Sequence, residues 1–289
     1  MTALSILRET LDALASVVFP APCRVCGETL VTASRVPVCG ACLGRLVALD
    51  GPMCGRCGRP LTQGAGSGEQ GVVHSAERPR AGSPGYAAGG ASVRLLCHLC
   101  RRGVYAFEVA RSFTAYDEHA TRAIVLLKHH AIAPLGAWFA ARVAEMVRRE
   151  GITADVVVPV PLHRARHRER GHNQAELIAR PLAKMLGLPM SAALLVRTKP
   201  RPAAHRLTRK ERWTSVRGAY GTREGARVDK QRVLLVDDVF TTGATLDACS
   251  RALLDAGASG VIGVTVARVV PQWEPLSPSP ASASSGGPA

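Results

Sequence analysis

Residues 232–245 read Arg-Val-Leu-Leu-Val-Asp-Asp-Val-Phe-Thr-Thr-Gly-Ala-Thr and carry the strongest pattern in the chain. The apolar run Val233–Val236 is typical of a strand buried on both faces, as in a parallel sheet covered by helices. Two carboxylates, Asp237 and Asp238, follow this run directly. Small residues come next, and we expect an apolar-periodic helix to begin at Leu246. The segment therefore predicts a strand, an acidic pair, a loop and a helix in immediate succession.

The predicted loop, Thr241–Thr245, suits a phosphate group. A loop that enters a helix N-terminus presents unpaired backbone N–H groups at the positive end of the helix dipole. Gly243 lets the backbone approach closely, and three threonine hydroxyls add donors. Asp237 and Asp238 would repel the same anion, so we expect them to face sugar hydroxyls or a divalent cation. A sugar phosphate with Mg²⁺ would satisfy both parts, whereas the simpler alternative is an acidic pair that ends a strand and caps a helix.

Strand-like and helix-like segments alternate along much of the 289-residue chain. Apolar runs at 156–160, 194–196, 233–236 and 261–266 are interpreted as strands, with helices or a basic segment between them. This alternation implies a parallel sheet with flanking helices, and we predict an α/β fold. Further helices are expected at 118–130, 134–150 and 174–186. Asn173 is the predicted N-cap of the last one, and Pro181 should kink or split it.

The formal net charge is +15, from 37 Lys and Arg residues against 22 Asp and Glu residues. This balance favours polyanionic partners, either phosphorylated substrates or nucleic acid, although a GC-rich genome also produces arginine-rich proteins. Residues 163–172 and 197–217 are especially basic, and the first of these segments is typical of an exposed loop. Thr208 and Glu211 have capping-box spacing, which predicts a helix start within the second segment.

Residues 1–21 are predicted to form an amphipathic helix, because leucines recur at three- and four-residue spacing. The charged residues between them argue against a signal peptide. The chain has no apolar run of roughly eighteen residues, so no membrane span is expected. The expected location is cytoplasmic.

Eight of the nine cysteines form four Cys-x-x-Cys pairs. Such a pair places two thiolates on one turn, as tetrahedral Zn²⁺ requires, and a reducing compartment disfavours disulfides. We therefore predict two structural zinc ions. Sequential pairing gives two four-cysteine sites, while crossed or nested pairing and a redox role for any single pair are the alternatives. The predicted metal ligands are Cys23, Cys26, Cys39, Cys42, Cys54, Cys57, Cys97 and Cys100.

Residues 233–245 resemble, position by position, the phosphoribosyl pyrophosphate (PRPP) fingerprint of type I phosphoribosyltransferases. Cysteine pairs ahead of this fingerprint narrow the resemblance to the ComF family, double-zinc-ribbon relatives that are linked in some bacteria to DNA uptake and natural transformation. Further motifs of the resemblance are the helix end at Lys128 and the segments 54–60 (Cys-Gly-Arg-Cys-Gly-Arg-Pro), 158–161 (Val-Pro-Val-Pro) and 170–174 (Arg-Gly-His-Asn-Gln). His172 departs from the aromatic residue that is usual in the family.

The resemblance implies a type I phosphoribosyltransferase fold with a PRPP site. Asp237 and Asp238 would be the catalytic residues, holding the ribose 2′- and 3′-hydroxyls and the associated Mg²⁺. Lys128 and Arg170 would stabilise the departing pyrophosphate, although a lysine in the last turn of a helix usually just complements the helix dipole. The 5′-phosphate would lie in a cradle formed by Thr241, Thr242, Gly243, Ala244 and Thr245.

The resemblance also implies a division of the chain into four parts. Residues 22–103 would be the zinc-binding module, interrupted by a disordered insertion at 61–91, where Gly, Ser, Ala, Pro and Gln dominate. Residues 104–270 would be the phosphoribosyltransferase-like domain, in which the basic segment 197–217 resembles the flexible hood of the family. The N-terminal helix precedes these parts, and a disordered tail follows at 271–289.

The predicted function is transfer of a 5-phosphoribosyl group from PRPP to an acceptor that the sequence does not reveal, with release of pyrophosphate. The alternative is a non-catalytic competence protein that binds a nucleotide or single-stranded DNA with the same fold. Aromatic residues make up only 4% of the chain, which weakens the DNA alternative because bases normally stack on aromatic side chains. Proteins of DNA uptake or recombination are further partners that the resemblance implies.

Overall fold

The computed structural model describes residues 21–30, 36–61, 95–200, 208–226 and 228–270. Almost all of the predicted N-terminal helix, most of the predicted insertion and the whole predicted tail lie outside these residues. Those three predictions and the domain boundaries therefore stay predictions.

Four of the six strands in the described residues form one parallel sheet, in the order β1, β6, β5 and β2. β2 is an edge strand and ends at Pro159. A proline has no N–H to donate to a neighbouring strand, so an edge position of this kind is where a proline is expected. The strands are β1 (Val109–Ala115), β2 (Val156–Pro159), β3 (Leu195–Arg197), β4 (Tyr220–Thr222), β5 (Arg232–Phe240) and β6 (Gly260–Arg268).

The strand predicted at 194–196 is present as β3, but its predicted place in the parallel sheet is wrong. β3 pairs with β4 in an antiparallel ribbon of its own, with Val196 opposite Gly221. β4 lies within 23 residues of β3 in the chain and can reach it by a simple return. The outer edge of β2 instead bonds to residues 189–191, since the N–H of Val157 donates to the Pro189 carbonyl at 2.9 Å.

The helices are α1 (Gly40–Gly44), α2 (His98–Arg101), α3 (Glu118–His130), α4 (Ala133–Arg149), α5 (Arg164–Arg170), α6 (Gln174–Leu186), α7 (Arg209–Val216) and α8 (Ala244–Asp255). α3 has the predicted bounds, and Asn173 caps α6 as predicted. Pro181 does not split α6. The carbonyl of Leu177, which Pro181 cannot bond, faces Gly136 of α4, where an added Cβ would lie 2.7 Å from that oxygen.

Alternate residues of β5 contribute to two apolar clusters on opposite faces of the sheet. Leu234 and Val236 belong to the cluster beneath α3, α4 and α6, which we call the α3 face. Val233 and Leu235 belong to the cluster beneath α8, which we call the α8 face. This double burial explains the continuous apolar run in the sequence. Among the described residues, no helix has the length and apolar character needed to cross a bilayer.

Candidate functional site

The acidic pair lies inside β5 rather than beyond its end. Pairing with β6 continues past Asp237, which is opposite Thr265, to Phe240, which is opposite Arg268. The predicted strand end at Val236 is therefore wrong, because β6 is long enough to extend the ladder to Phe240. α8 likewise begins at Ala244, ahead of the predicted start at Leu246.

Gly243 is the N-cap of α8 and has a left-handed φ of 80°, which favours glycine. A Cβ at this position would lie 2.6 Å from Tyr105 Cε1 and 2.7 Å from Phe240 Cζ. The close approach predicted at this glycine is therefore made to two aromatic rings. The neighbouring loop residues Thr241, Thr242, Ala244 and Thr245 line a cavity.

The acidic pair is buried, with Asp237 9% exposed and Asp238 5% exposed. The N–H of Asp238 donates to Asp237 Oδ1 at 2.9 Å. Lys128 Nζ lies 2.8 Å from Asp238 Oδ2, although the two atoms are not aligned as a hydrogen bond. Burial, reinforced by the adjacent charge of Asp238, raises the pKa of Asp237. Lys128 therefore supplies positive charge to the acidic pair, beyond complementing the dipole of α3.

The cavity above the acidic pair has a volume of about 260 Å³. It brings together eight of the nine residues predicted to bind PRPP, and Gly243 lies outside its lining. Arg170 reaches it from the end of α5, where its Nη1 donates to Gln174 Oε1 at 3.3 Å. The predicted residues that line it are Lys128, Arg170, Asp237, Asp238, Thr241, Thr242, Ala244 and Thr245.

The basic segment at 163–172 has a composition typical of an exposed loop, but most of it forms α5. His163 caps this helix by accepting the N–H of Ala165, and Gly171 ends it with a φ of 74°. None of its residues is buried, so no apolar face marked it in the sequence. Arg166 and Glu169 of α5 also line the cavity.

One wall of the cavity consists of residues that the sequence did not identify individually. Arg197 and Tyr220 come from the β3–β4 ribbon, and Arg212 and Ser215 come from α7. Arg197 Nη1 donates to the Tyr220 hydroxyl at 2.8 Å. These residues lie in or beside the predicted hood. The sequence signal that could have identified Arg197 is its position directly after the strand predicted at 194–196.

His172 ties the loop after α5 to α3. Its Nε2 lies 3.0 Å from the Leu127 carbonyl, and its Nδ1 lies 2.8 Å from the Arg170 carbonyl. The imidazole thus joins the backbone beside Lys128 to the backbone of Arg170. Histidine in place of the usual aromatic residue therefore adds polar contacts between α3 and the end of α5. These two elements carry Lys128 and Arg170, the cations predicted to bind pyrophosphate.

The eight paired cysteines form two clusters by sequential pairing. The first cysteine cluster contains Cys23, Cys26, Cys39 and Cys42, and the second contains Cys54, Cys57, Cys97 and Cys100. Within each cluster, all sulfur atoms lie within 4.8 Å of one another. Crossed and nested pairing are thereby excluded.

The sulfur geometry fits zinc. A tetrahedral ion with Zn–S bonds of about 2.3 Å requires sulfur atoms roughly 3.8 Å apart. The Cys26 and Cys39 sulfurs are 3.7 Å apart, as are the Cys57 and Cys97 sulfurs. The N–H of Cys39 donates to Cys23 Sγ and that of Cys97 to Cys54 Sγ, both at 3.3 Å.

Local hydrogen bonds favour the thiolate form of Cys23 in the first cluster and of Cys54 in the second. Burial raises the pKa of Cys23, but backbone N–H donors led by Cys39 outweigh it and lower that pKa to about 6. The Cys100 thiol lowers the pKa of Cys54 by hydrogen bonding to it. Cys249 differs, because complete burial in α8 raises its pKa. Its predicted role as a small buried apolar residue agrees with this environment.

Known proteins match parts of this chain. A double zinc ribbon domain matches residues 14–73, which contain three of the four cysteine pairs. Competence protein F of Haemophilus influenzae is 34% identical over 104 residues, which are 36% of this chain and 45% of that protein. DNA utilization protein YhgH of Escherichia coli is 34% identical over 107 residues, 37% of this chain and 46% of that protein. Competence protein ComFC of Bacillus subtilis is 35% identical over 114 residues, 39% of this chain and 44% of that protein.

The chain thus matches slightly less than half the length of these curated relatives. Among solved structures, glutamine PRPP amidotransferase of B. subtilis is 22% identical, with a TM-score of 0.31 over 45% of this chain and 26% of that chain. Adenine phosphoribosyltransferase of Leishmania tarentolae is 20% identical, with a TM-score of 0.29 over 45% of this chain and 55% of that chain. Scores this low carry no weight for the fold, which is assigned from the strand order and register. A parallel sheet with flanking helices and a cysteine-rich module confirm the predicted α/β class and the predicted zinc-binding module.

Proposed function

Since the double zinc ribbon and the named relatives support the ComF family, we propose that this chain is a PRPP-binding phosphoribosyltransferase-like protein. It would transfer the 5-phosphoribosyl group to an acceptor and release pyrophosphate. One observation carries the proposal: a buried acidic pair, a loop of small residues and a lysine meet in a single cavity.

The cavity residues divide naturally between the parts of PRPP. The loop at the N-terminus of α8 would hold the 5′-phosphate with backbone N–H groups and threonine hydroxyls. Asp237 and Asp238 would accept hydrogen bonds from the ribose hydroxyls. Lys128 and Arg170, which enter from α3 and α5, would bind the pyrophosphate oxygens. Mg²⁺ bound with PRPP would add countercharge to the leaving group.

The proposed transfer breaks the bond between C1 of the ribose and the pyrophosphate oxygen, which keeps the electron pair. A new bond forms between C1 and the acceptor nucleophile, which loses its proton. Positive charge develops on the sugar ring and negative charge on the leaving group, as in glycoside hydrolysis. Lys128 and Arg170 would stabilise the departing charge, and α7 with the β3–β4 ribbon would limit the access of water.

The relatives' names suggest a biological setting. Two are competence proteins and one is a DNA utilization protein. We extend this to the present chain by proposing a role in the handling of incoming DNA or its nucleotides. The same proposal includes protein partners that act in DNA uptake or recombination, and a cytoplasmic location.

A second candidate function, binding of single-stranded DNA, is favoured by α5. This helix has no buried residue and carries Arg164, Arg166 and Arg168, of which Arg166 lines the cavity. The aromatic residue of the hood does not favour it, because Trp213 packs against Tyr105 with ring centroids 5.9 Å apart. DNA affinity that falls steeply with salt and does not require Asp237 or Asp238 would support this second function.

Calorimetric titration of the zinc-loaded protein with PRPP and Mg²⁺ tests the first proposal. We expect binding by the unaltered protein and loss of roughly tenfold or more in affinity for Asp237→Asn/Asp238→Asn. Asp255→Asn, at the exposed far end of α8, is the matched control and should bind normally. Absence of binding by the folded protein, or equal binding by the double variant, would overturn the proposal.

A further inference from the structure

A series of hydrogen bonds leads from the second cysteine cluster to Tyr105. Arg56 lies between Cys54 and Cys57 in the sequence. Its Nη2 donates to the Tyr105 carbonyl at 2.6 Å, and its Nε donates to the Phe107 carbonyl at 3.1 Å. Tyr105 also follows Cys100 by only five residues. The cluster therefore fixes the backbone of Tyr105 through a side chain and through the chain itself.

Tyr105 in turn contacts residues 241–245, which we call the phosphate loop after the role proposed for them above. Its hydroxyl donates to the Thr242 carbonyl at 3.0 Å. Its ring occupies the space beside Gly243 that a Cβ would need, and it stacks on Phe107 with centroids 4.7 Å apart. The next residue is also anchored, since the N–H of Ala106 donates to Asp247 Oδ1 in the first turn of α8 at 2.7 Å.

The hydrogen bond to Thr242 fixes the direction of a loop amide. No cis peptide occurs in the described residues, and in a trans peptide the carbonyl and the following N–H point in opposite directions. A Thr242 carbonyl held by Tyr105 therefore turns the Gly243 N–H away from Tyr105. Gly243 itself lies outside the cavity lining, but Thr242 and Ala244 line the cavity on either side of it, so the Thr242 peptide that Tyr105 holds belongs to the cavity wall.

The hydroxyl is not required to fill space. Tyr105 is 3% exposed, and its aromatic neighbours Phe107 and Phe240 pack in the same cluster without a hydroxyl. Removing only the oxygen would keep the ring against Gly243 and the stack on Phe107. What the oxygen adds is the orientation of the Thr242 peptide.

We infer that Tyr105 is a positioning residue for the 5′-phosphate, and that the second cysteine cluster sets the shape of the phosphate loop through Arg56 and Tyr105. This inference rests on the proposed function, because it assumes that the loop binds the 5′-phosphate of PRPP. It assigns the second cluster a part in ligand binding. Among the described residues, the first cluster packs instead on the α3 face.

The test compares Tyr105→Phe with the unaltered protein by calorimetry, using ribose 5-phosphate, Mg²⁺ with pyrophosphate, and PRPP as separate probes. We expect about 3- to 10-fold weaker binding of ribose 5-phosphate and PRPP, and pyrophosphate binding unchanged within about twofold. Tyr116→Phe is the control, because Tyr116 packs against the α3 face. It should bind all three probes normally.

Arg56→Ala provides a second variant, with zinc content measured to confirm that both clusters remain filled. It should show the same selective loss for the two probes that carry a 5′-phosphate. Equal weakening of ribose 5-phosphate and pyrophosphate binding would indicate a general structural effect and overturn the inference. Normal ribose 5-phosphate binding by Tyr105→Phe would overturn it while leaving the proposed function standing. Failure of the unaltered protein to bind PRPP would overturn both.

Discussion

The two cysteine clusters share one motif and one sulfur geometry, but they lie in different environments. In the first cluster, Cys26 is exposed and Cys39 is partly exposed, whereas all four cysteines of the second cluster are buried. The first cluster packs on the α3 face, and the second packs on the α8 face with the aromatic rings behind the phosphate loop. Under the inference above, the contribution of a zinc site to substrate binding depends on which residues pack against its cysteine pairs. The identity of the four cysteines does not reveal that contribution.

The segment between the clusters and the first cysteine pair of the second cluster cover the free edge of the sheet at β1. The N–H of Leu49 donates to the Phe113 carbonyl, and the N–H of Ala110 donates to the Arg56 carbonyl, both at 2.7 Å. An uncovered edge strand invites pairing with other chains. Both clusters thus hold a strip of backbone on β1, and in the part of the chain that the structure describes only the second is linked by hydrogen bonds to the candidate site.

Removal of zinc ligands should give the largest difference in PRPP affinity between variants of the two clusters. Cys97→Ser/Cys100→Ser should lose one zinc ion per chain and weaken PRPP binding by about tenfold or more, because Arg56 and Tyr105 lose their anchor. Cys23→Ser/Cys26→Ser should lose one zinc ion as well, with PRPP affinity changed by less than about threefold. Elemental analysis and calorimetry measure the two quantities. Equal losses of affinity would abolish the distinction between the clusters.

Chelation should release the two ions at different rates. Because Cys26 is exposed and the second cluster is buried, we expect two phases that differ by about tenfold or more in rate. A zinc indicator dye follows the release, and PRPP affinity should survive the fast phase. In Cys23→Ser/Cys26→Ser the fast phase should be missing. A single phase in the unaltered protein would contradict the expected order.

Two arginines offer a matched comparison of how each cluster is tied to the core. Arg56 donates from the second cluster to two carbonyls, whereas Arg122 of α3 donates to the Val25 carbonyl of the first cluster at 2.8 Å. Arg56→Ala should lower the free energy of unfolding by about 2 kcal/mol. Arg122→Ala should lower it by about 0.5–1 kcal/mol, because its side chain is 53% exposed. Urea denaturation measures both, and the reverse order would argue against the tighter anchoring of the second cluster.

An effect smaller than that of Arg56→Ala is expected from the spacing of the cysteine pairs. The first cluster closes over twelve intervening residues and the second over 39. Deleting residues 65–91 would equalise the two spacings. If the predicted disorder of the insertion is correct, the shorter loop should raise the free energy of unfolding by about 1 kcal/mol. Denaturation with zinc bound measures this change, and a marked destabilisation would show that the insertion contributes to the fold.

Local sequence patterns predicted the elements that have local causes. α3 occupies the expected residues, because Asp117 accepts the N–H of Ala120 at the start of an apolar-periodic segment. The capping box of Thr208 and Glu211 is present at the start of α7 as predicted. α5 was missed because a helix without an apolar face has no periodicity to detect, and its ends depend on a histidine cap and a glycine.

Long-range pairing could not be predicted in the same way. β3 has the composition of a strand, but composition does not indicate whether its partner lies in the main sheet or in β4. The acidic pair was placed beyond the strand end because the length of β6 opposite it was unknown. From the sequence, Lys128 could either complement the dipole of α3 or project toward the pyrophosphate. Only its distance to Asp238 shows that it reaches the acidic pair.

The sequence by itself determined the chemistry of this protein: two carboxylates, a loop of small residues before a helix, and eight cysteines in pairs that suit zinc. Such features depend on residues within a few positions of one another, so spacing and side-chain type express them directly. The tertiary structure decided which cysteine pairs combine, and it joined the second cluster to the phosphate loop. The hydrogen bond from Tyr105 to Thr242 spans 137 residues, and only the packing of the α8 face against the sheet brings its two atoms together.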